Sequence, residues 1–138
     1  RILSDKGPCL FTLPIKNDSD FLSVEEREVS DVWKKERVKV LNLIRSSYKK
    51  STHFDPVFPL IEDCLLSEEK NLFKFILNSV ERVCLFLDIK TPIINSSRVE
   101  IDHSLRSQSK VLGICKNRGA SVYVNAIGGV NLYSKESF

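Results

Sequence analysis

The sequence predicts an α/β domain in which a short, mostly parallel sheet is flanked by helices. Segments with helical apolar spacing alternate with short apolar runs at residues 9–15, 93–94 and 121–125, in the order strand, helices, strand, helix, strand. A chain of 138 residues, 42% of them hydrophobic, is long enough to bury a sizeable core. No repeat or linker is visible, so residues 1–138 are expected to form a single domain.

The first strand and the first long helix follow from the N-terminal third of the chain. Residues 9–15 form an apolar run near Pro14, which is typical of a largely buried strand. After a polar turn, an amphipathic helix is expected from Ser30 or Asp31, either of which can cap it, to about Lys49. Its apolar positions recur at helical spacing: Trp33, Val40, Leu41, Ile44 and Tyr48.

Two further helices are expected in the middle of the chain. Asp55 followed by Pro56 is a helix start, and Pro59 predicts that this helix is short. Ser67 is the expected N-cap of a longer helix, with acidic residues in its first turn. Its apolar stripe comprises Leu72, Ile76, Val80, Val83, Cys84 and Leu87.

The last third predicts strand, helix and strand. Pro92 ends the preceding helix, and residues 93–94 are expected to form a buried strand that leads into a polar loop. A helix is expected from Ser104 or Ser107 to Asn117, with Gly119 as its C-terminal glycine. Residues 121–125 are the last predicted strand.

Composition narrows the classes of protein and site. No apolar run approaches the length of a membrane span, and a net charge of +3 is too mild to indicate a nucleic-acid partner. The spacing of the four cysteines matches neither zinc ligands nor a redox pair, so no metal and no cofactor are expected, and the cysteines are predicted to be small reduced hydrophobes. The chain contains no methionine, not even at position 1, which predicts a fragment or a processed product.

Small polar residues follow two of the predicted strands. Ser96 and Ser97 follow one strand, and Asn125, Gly128 and Gly129 follow the other. In parallel α/β sheets ligands bind beyond the carboxyl ends of the strands, and paired glycines let backbone amides approach a ligand closely. These residues are therefore the candidate substrate-binding site. The alternative for the glycine pair is a flexible turn before a final helix.

Charged and titratable residues supply the other candidates. His53 lies between a basic helix and a helix start, where an imidazole can act as acid or base. The alternative is an ordinary loop histidine, and no motif identifies a reaction. Three cations on one side of the predicted basic helix are candidates for guiding an anionic substrate: Lys35, Lys39 and Arg45.

Several segments, taken in order, resemble the WbqC-like family of bacterial proteins. They are residues 1–3, 10–15, 48–59, 87–91, 96–97, 112–116, 119–123 and 125–133, with Phe138. Family members usually begin with a further strand and helix, so the resemblance implies a chain that lacks this N-terminal segment. The motif at residues 125–133 departs from the commoner family form. Asn125 and Ala126 replace a Ser-Gly pair, and Leu132 and Tyr133 invert a Tyr-Leu pair.

The resemblance implies a role in the biosynthesis of bacterial O-antigen and other surface glycans, as a cytoplasmic transferase of an aminoacyl group (glycine) or an acyl group to an amino sugar. The substrate would be a small molecule, such as a nucleotide-linked sugar, held by the candidate residues, and His53 and Arg1 would contribute charge or proton transfer. The alternative is a non-catalytic ligand-binding or scaffold protein of the same pathway. A homo-oligomer is compatible with both.

Overall fold

Four α-helices and one small antiparallel sheet provide the regular structure of residues 1–5 and 7–134, the part of the chain that the computed structural model describes. The strands are β1 (Ile2–Ser4) and β2 (Gly7–Cys9), and the helices are α1 (Trp33–Tyr48), α2 (Phe54–Leu65), α3 (Leu72–Phe86) and α4 (Ser107–Asn117). The chain divides into a first unit, Arg1–Lys90, and a second unit, Thr91–Phe138.

The predicted parallel sheet is wrong. β1 and β2 form an antiparallel hairpin, in which Cys9 pairs with Ile2, and the rest of the predicted strand at 9–15 contributes an antiparallel bridge between Ile15 and Val29. Residues 93–94 and 121–125 join no ladder within the described part of the chain, and the side chains of Val122 and Val124 are exposed. An apolar run favours burial, but a strand also requires a neighbouring chain that pairs its N–H and C=O groups. Among residues 1–5 and 7–134, the runs at 93–94 and 121–125 have no such neighbour.

The core of the first unit forms around α1. Trp33, only 3% exposed, meets the ring of Phe75 edge-on with centroids 6.4 Å apart. The buried residues of this core come from α1, α2, α3 and the bridge before α1: Val29, Trp33, Val40, Leu41, Ile44, Phe58 and Phe75. The predicted course of α1 is confirmed at its C-terminal end, whereas its first turn begins after Val32.

Helix α2 is longer than predicted, because Pro59 lies inside it. A helical residue at position 59 would donate its N–H to the carbonyl of Asp55, so proline removes one hydrogen bond. Asp55 and Pro59 are both exposed, so water reaches this first turn. Burial of Phe58 and Cys64 on the opposite side stabilises the helix across the proline.

Helix α3 begins four residues later than the Ser67 cap predicts. Its N-cap is Asn71, whose side-chain oxygen accepts the N–H of Lys74 at 3.0 Å. Ser67 and Glu68 instead lie in the link between α2 and α3, where both contact Arg37 of α1. Tertiary contact with an arginine therefore competes successfully with a local capping signal.

The second unit confirms the predicted helix from Ser107 to Asn117. Gly119 has φ +60°, and the chain turns there as the N–H of Ala120 donates to Cys115 O at 2.9 Å. This is the left-handed conformation that favours glycine after a helix. The unit also contains two 3₁₀ helices, Ser96–Arg98 and Ile127–Leu132, and the side chain of Val99 is buried in it. Phe138, part of the family resemblance, lies outside the described residues.

Candidate functional site

An open cavity of about 440 Å³ lies in the first unit, where α1, α2 and the N-terminal residues meet. Its volume is within the range of small-molecule sites. The lining is predominantly apolar and consists of Ile2, Phe11, Ile44, Tyr48, Ser51, His53, Phe54, Val57, Phe58, Ile61 and Leu65. The cavity therefore suits an apolar group of a ligand better than a sugar or a nucleotide base.

Aromatic packing shapes one wall of the cavity. The rings of Phe54 and Phe58 are stacked with centroids 4.8 Å apart. The Arg45 guanidinium lies 4.7 Å from the Phe58 ring centroid, and it also donates to a Glu62 carboxylate oxygen at 3.3 Å. Phe58 is buried and contacts both partners, so its ring has little freedom to move. This wall is largely preformed.

The polar lining residues come from the last residue of α1 and from the turn that follows it. The N–H of Ser51 donates to Tyr48 O at 2.8 Å, and the N–H of Phe54 donates to Ser51 O at 3.1 Å. The Tyr48 hydroxyl accepts the N–H of Leu3 at 2.9 Å, which ties β1 to the same turn. The polar side chains at the cavity are thus held by a hydrogen-bonded turn and not by a free loop.

His53, the predicted acid–base candidate, lines this cavity. It occupies the N-cap position of α2, and its carbonyl accepts the N–H of Val57 at 3.2 Å. The side chain is exposed, and no described residue forms a hydrogen bond or ion pair with its imidazole. The imidazole is therefore accessible to a ligand in the cavity. Arg1 is also exposed and precedes Ile2, another lining residue.

The other candidate residues belong to the second unit. Asn95 accepts the N–H and the hydroxyl of Ser97 at 3.0 and 2.9 Å, so Asn95 caps the 3₁₀ helix that contains Ser96 and Ser97. Both serines are exposed. A local cap accounts for these polar residues, and their role in substrate binding stays a prediction.

Asn125 and Gly129 lie against each other. A side-chain carbon at Gly129 would overlap the Asn125 amide nitrogen and would lie 3.0 Å from Asn125 Cγ. Asn125 Oδ1 accepts the N–H of Ala126 at 2.9 Å, and the N–H of Gly129 donates to Ala126 O at 2.8 Å. Glycine at 129 thus permits a close approach inside the protein. Gly128 is open to solvent.

The three cations expected to guide an anion differ in their surroundings. Lys39 is paired with Glu36 at 2.7 Å and Arg45 with Glu62 at 3.3 Å, whereas Lys35 is exposed and has no ion pair among the described residues. The pairs reduce the positive charge that an incoming anion would meet at Lys39 and Arg45.

The cysteines, metal sites and membrane spans can be described for residues 1–5 and 7–134. All four cysteines are free thiols; Cys64 is buried, and burial raises the pKa of its thiol. The others are half-buried. That range contains no cluster of three or more potential metal ligands, and no helix in it is long and apolar enough to cross a membrane.

The cavity walls are the functional feature that sequence reasoning missed. Phe54, Phe58, Ile61 and Leu65 recur at helical spacing across Pro59, and this periodicity was the available signal. Pro59 predicts a short helix, whereas the apolar spacing across it indicates the longer helix that the structure contains.

Comparison with known proteins gives one match. No curated protein and no solved structure matches the chain. The family model described as the WbqC-like protein family matches residues 1–138. The segments that carry the resemblance therefore belong to a match over the whole chain, and the chain is a member of the WbqC-like protein family.

Proposed function

We propose that this chain acts in the cytoplasm in bacterial surface-glycan biosynthesis, as an acyltransferase to the amine of a nucleotide-linked amino sugar. The observation that carries the proposal is the apolar cavity of the first unit with His53 in its lining. The chain belongs to the WbqC-like family. The role in glycan biosynthesis is what the resemblance to that family implies.

The apolar walls favour an acyl group over a glycyl group. A glycyl group carries an ammonium, and transfer of an unpaired charge into an apolar cavity is strongly unfavourable. An aliphatic acyl chain instead gains free energy for each methylene that leaves water. The lining at the α2 wall contains no carboxylate that would pair with an ammonium. Of the two groups implied by the family resemblance, the acyl group fits better.

The reaction requires an activated acyl donor, taken here as an acyl thioester. The amine of the sugar attacks the acyl carbonyl carbon, the C–N bond forms, and the C–S bond breaks. The His53 imidazole accepts the proton that the amine loses and delivers it to the departing thiolate. The products are an N-acyl sugar and a free thiol.

A non-catalytic ligand-binding protein is the second candidate, and one observation favours it. A catalytic base is usually oriented by a third group, such as a carboxylate. Within the described residues, the His53 imidazole has no such partner. Under this alternative the protein binds an acyl compound and transfers nothing.

The test compares the two histidines of the chain. The protein is incubated with an acyl thioester and a nucleotide-linked amino sugar, and N-acyl product is measured by mass spectrometry. We expect His53→Gln to lower kcat by about 100-fold or more while acyl binding is retained. His103→Gln is the control, since His103 is exposed and does not line the cavity. Full activity of His53→Gln contradicts the catalytic role, and binding without product supports the second candidate.

The residues of the second unit are proposed to bind the nucleotide-linked sugar. Asn125→Ala removes an amide from the predicted site, and Gly129→Val adds a side chain where Asn125 already packs. Both variants are expected to weaken nucleotide-sugar binding in calorimetry. Unchanged affinity in both variants contradicts this site and leaves the acyl cavity untouched.

A further inference from the structure

Unpaired positive charge lies beside the apolar cavity. Lys49 and Lys50 follow Tyr48 in the turn that leads to His53, and both are exposed. Neither forms an ion pair with another described residue. Asp55, exposed in the first turn of α2, is the acidic residue of this segment. The turn therefore carries a net positive charge next to an apolar opening.

Most cations on α1 itself take part in ion pairs, and two of them share one carboxylate. Arg37 and Lys34 contact Glu68 at 2.6 and 3.2 Å, and Lys39 and Arg45 have their own carboxylate partners. Lys35 near the start of the helix is the exception. Lys49 and Lys50 are thus adjacent cations without an ion pair among the described residues, and they lie in the sequence between the cavity-lining residues Tyr48 and Ser51.

We infer that the ligand of this cavity is amphipathic: an acyl chain that fills the apolar cavity, joined to a phosphate-bearing carrier whose phosphates bind Lys49 and Lys50. The inference rests on the proposed function, because it assigns the acyl donor to the same cavity. Apolar walls select the chain, and an exposed cationic turn is complementary to a phosphate and not to a neutral carrier. The carrier is a soluble thiol carrier, not a lipid surface.

Chain length provides the first test. Acyl-coenzyme A with four to ten acyl carbons is titrated into the protein by calorimetry, with coenzyme A and free fatty acids as controls. Each added methylene is expected to tighten binding about fourfold until the cavity is full. Coenzyme A without an acyl chain and fatty acids without phosphate should both bind more weakly than the conjugate. Equal affinity for coenzyme A and its decanoyl ester overturns the inference.

Paired variants separate the cavity from the turn. Val57→Trp fills the cavity and is expected to abolish the dependence on chain length, whereas Val38→Trp on an exposed, non-lining position of α1 should not. Lys49→Ala with Lys50→Ala should weaken decanoyl-coenzyme A about fivefold and reduce the salt dependence of binding. Lys74→Ala with Lys90→Ala, two exposed positions of the first unit outside the cavity lining, removes the same number of lysines and should have no effect. Equal losses in the two lysine pairs overturn the assignment of the turn. The lysines are exposed, so that test does not depend on how Val57→Trp folds.

Further measurements distinguish a soluble carrier from a lipid surface and separate this inference from the proposed function. Sedimentation with vesicles of phosphatidylglycerol, together with no binding of soluble acyl-coenzyme A, would mean that the turn binds a membrane and would overturn the inference. Tight acyl-coenzyme A binding without N-acyl product contradicts the proposed function and supports this inference. Product formed equally well from an acyl thioester without phosphate, in wild type and in the lysine pair, contradicts this inference and supports the proposed function.

Discussion

Arg37 fixes the link between α2 and α3 onto α1, so its replacement should destabilise the first unit. One guanidinium nitrogen donates to Leu66 O at 3.1 Å and Ser67 O at 3.3 Å, and the other donates to a Glu68 carboxylate oxygen at 2.6 Å. The Arg37 side chain is 13% exposed. Replacement by leucine retains the apolar stem and removes all three contacts.

The expected loss follows from the carbonyl contacts. A hydrogen bond from a charged donor contributes about 1.5–3 kcal/mol, so the two carbonyls account for about 3–6 kcal/mol. Arg37 Nε is buried without a partner in the described structure, and its removal returns about 1–3 kcal/mol. The Glu68 contact adds little, because that carboxylate is in solvent. The difference between the central values is about 2.5 kcal/mol, and the free energy of unfolding should fall by about that amount, a large part of a typical total of about 5–15 kcal/mol.

Urea denaturation followed by tryptophan fluorescence measures this loss. Trp33 is the sole tryptophan and is buried in the first unit, so its emission reports the unfolding of that unit. At a typical m-value, Arg37→Leu should lower the urea midpoint by about 1–2 M. Lys34→Ala is the control, since Lys34 contacts the same Glu68 at 3.2 Å but is exposed, and it should cost less than about 1 kcal/mol. Equal midpoints for the two variants would refute the argument that the carbonyl contacts dominate.

Three further outcomes are expected. Phe75→Ala should lower the free energy of unfolding by about 3 kcal/mol in the same urea assay, because it empties a buried site against the tryptophan; a change under about 1 kcal/mol contradicts that packing. Arg37, followed by Lys34, lowers the pKa of Glu68 below its ordinary 4.5. This carboxylate therefore stabilises the fold above that pH, and its contribution is lost as the pH falls through the lowered pKa. Urea midpoints measured in acid should change less with pH in Arg37→Leu than in wild type, and parallel profiles contradict this. Gly129→Ala should destabilise the 3₁₀ helix Ile127–Leu132 by about 1 kcal/mol, measured by amide hydrogen exchange, because the new side chain meets Asn125. Asn125→Ala in the same chain should remove this loss. Additive losses in the double variant contradict the steric overlap of the two residues.

Local signals predicted the helices better than the sheet. The end of α1 and the bounds of α4 follow from apolar spacing and from Gly119, which act within a few residues. The sheet required knowledge of which segments become neighbours, and apolar runs carry no information on pairing. The Ser67 cap failed for a similar reason, since Arg37, thirty residues away, binds its carbonyl.

The candidate site shows the same division between local and long-range information. His53 was identified from its position before a helix start, and the structure brings it to a cavity. The cavity itself depends on the packing of α1, α2 and residues near the N-terminus, which no local pattern encodes. The part of the lining that comes from α2 can be predicted from the sequence when Phe58, Ile61 and Leu65 are taken as one apolar stripe that continues past Pro59.

The apolar lining of the cavity and the charged turn beside it in the sequence come from different segments, and this difference has a functional consequence. Most of the apolar lining comes from α2, whose side chains determine how much apolar surface a ligand can bury. The turn between α1 and α2 contributes His53 to the lining and also contains Lys49 and Lys50. Under the proposed function, a substitution in the walls should change the preferred acyl chain, whereas substitution of the two lysines should change affinity for the carrier and substitution of His53 should change kcat. An acyl donor site requires that chain preference, carrier affinity and kcat can each be changed by a different set of substitutions. If the turn had only a structural role, substitutions in it would change none of these three properties selectively.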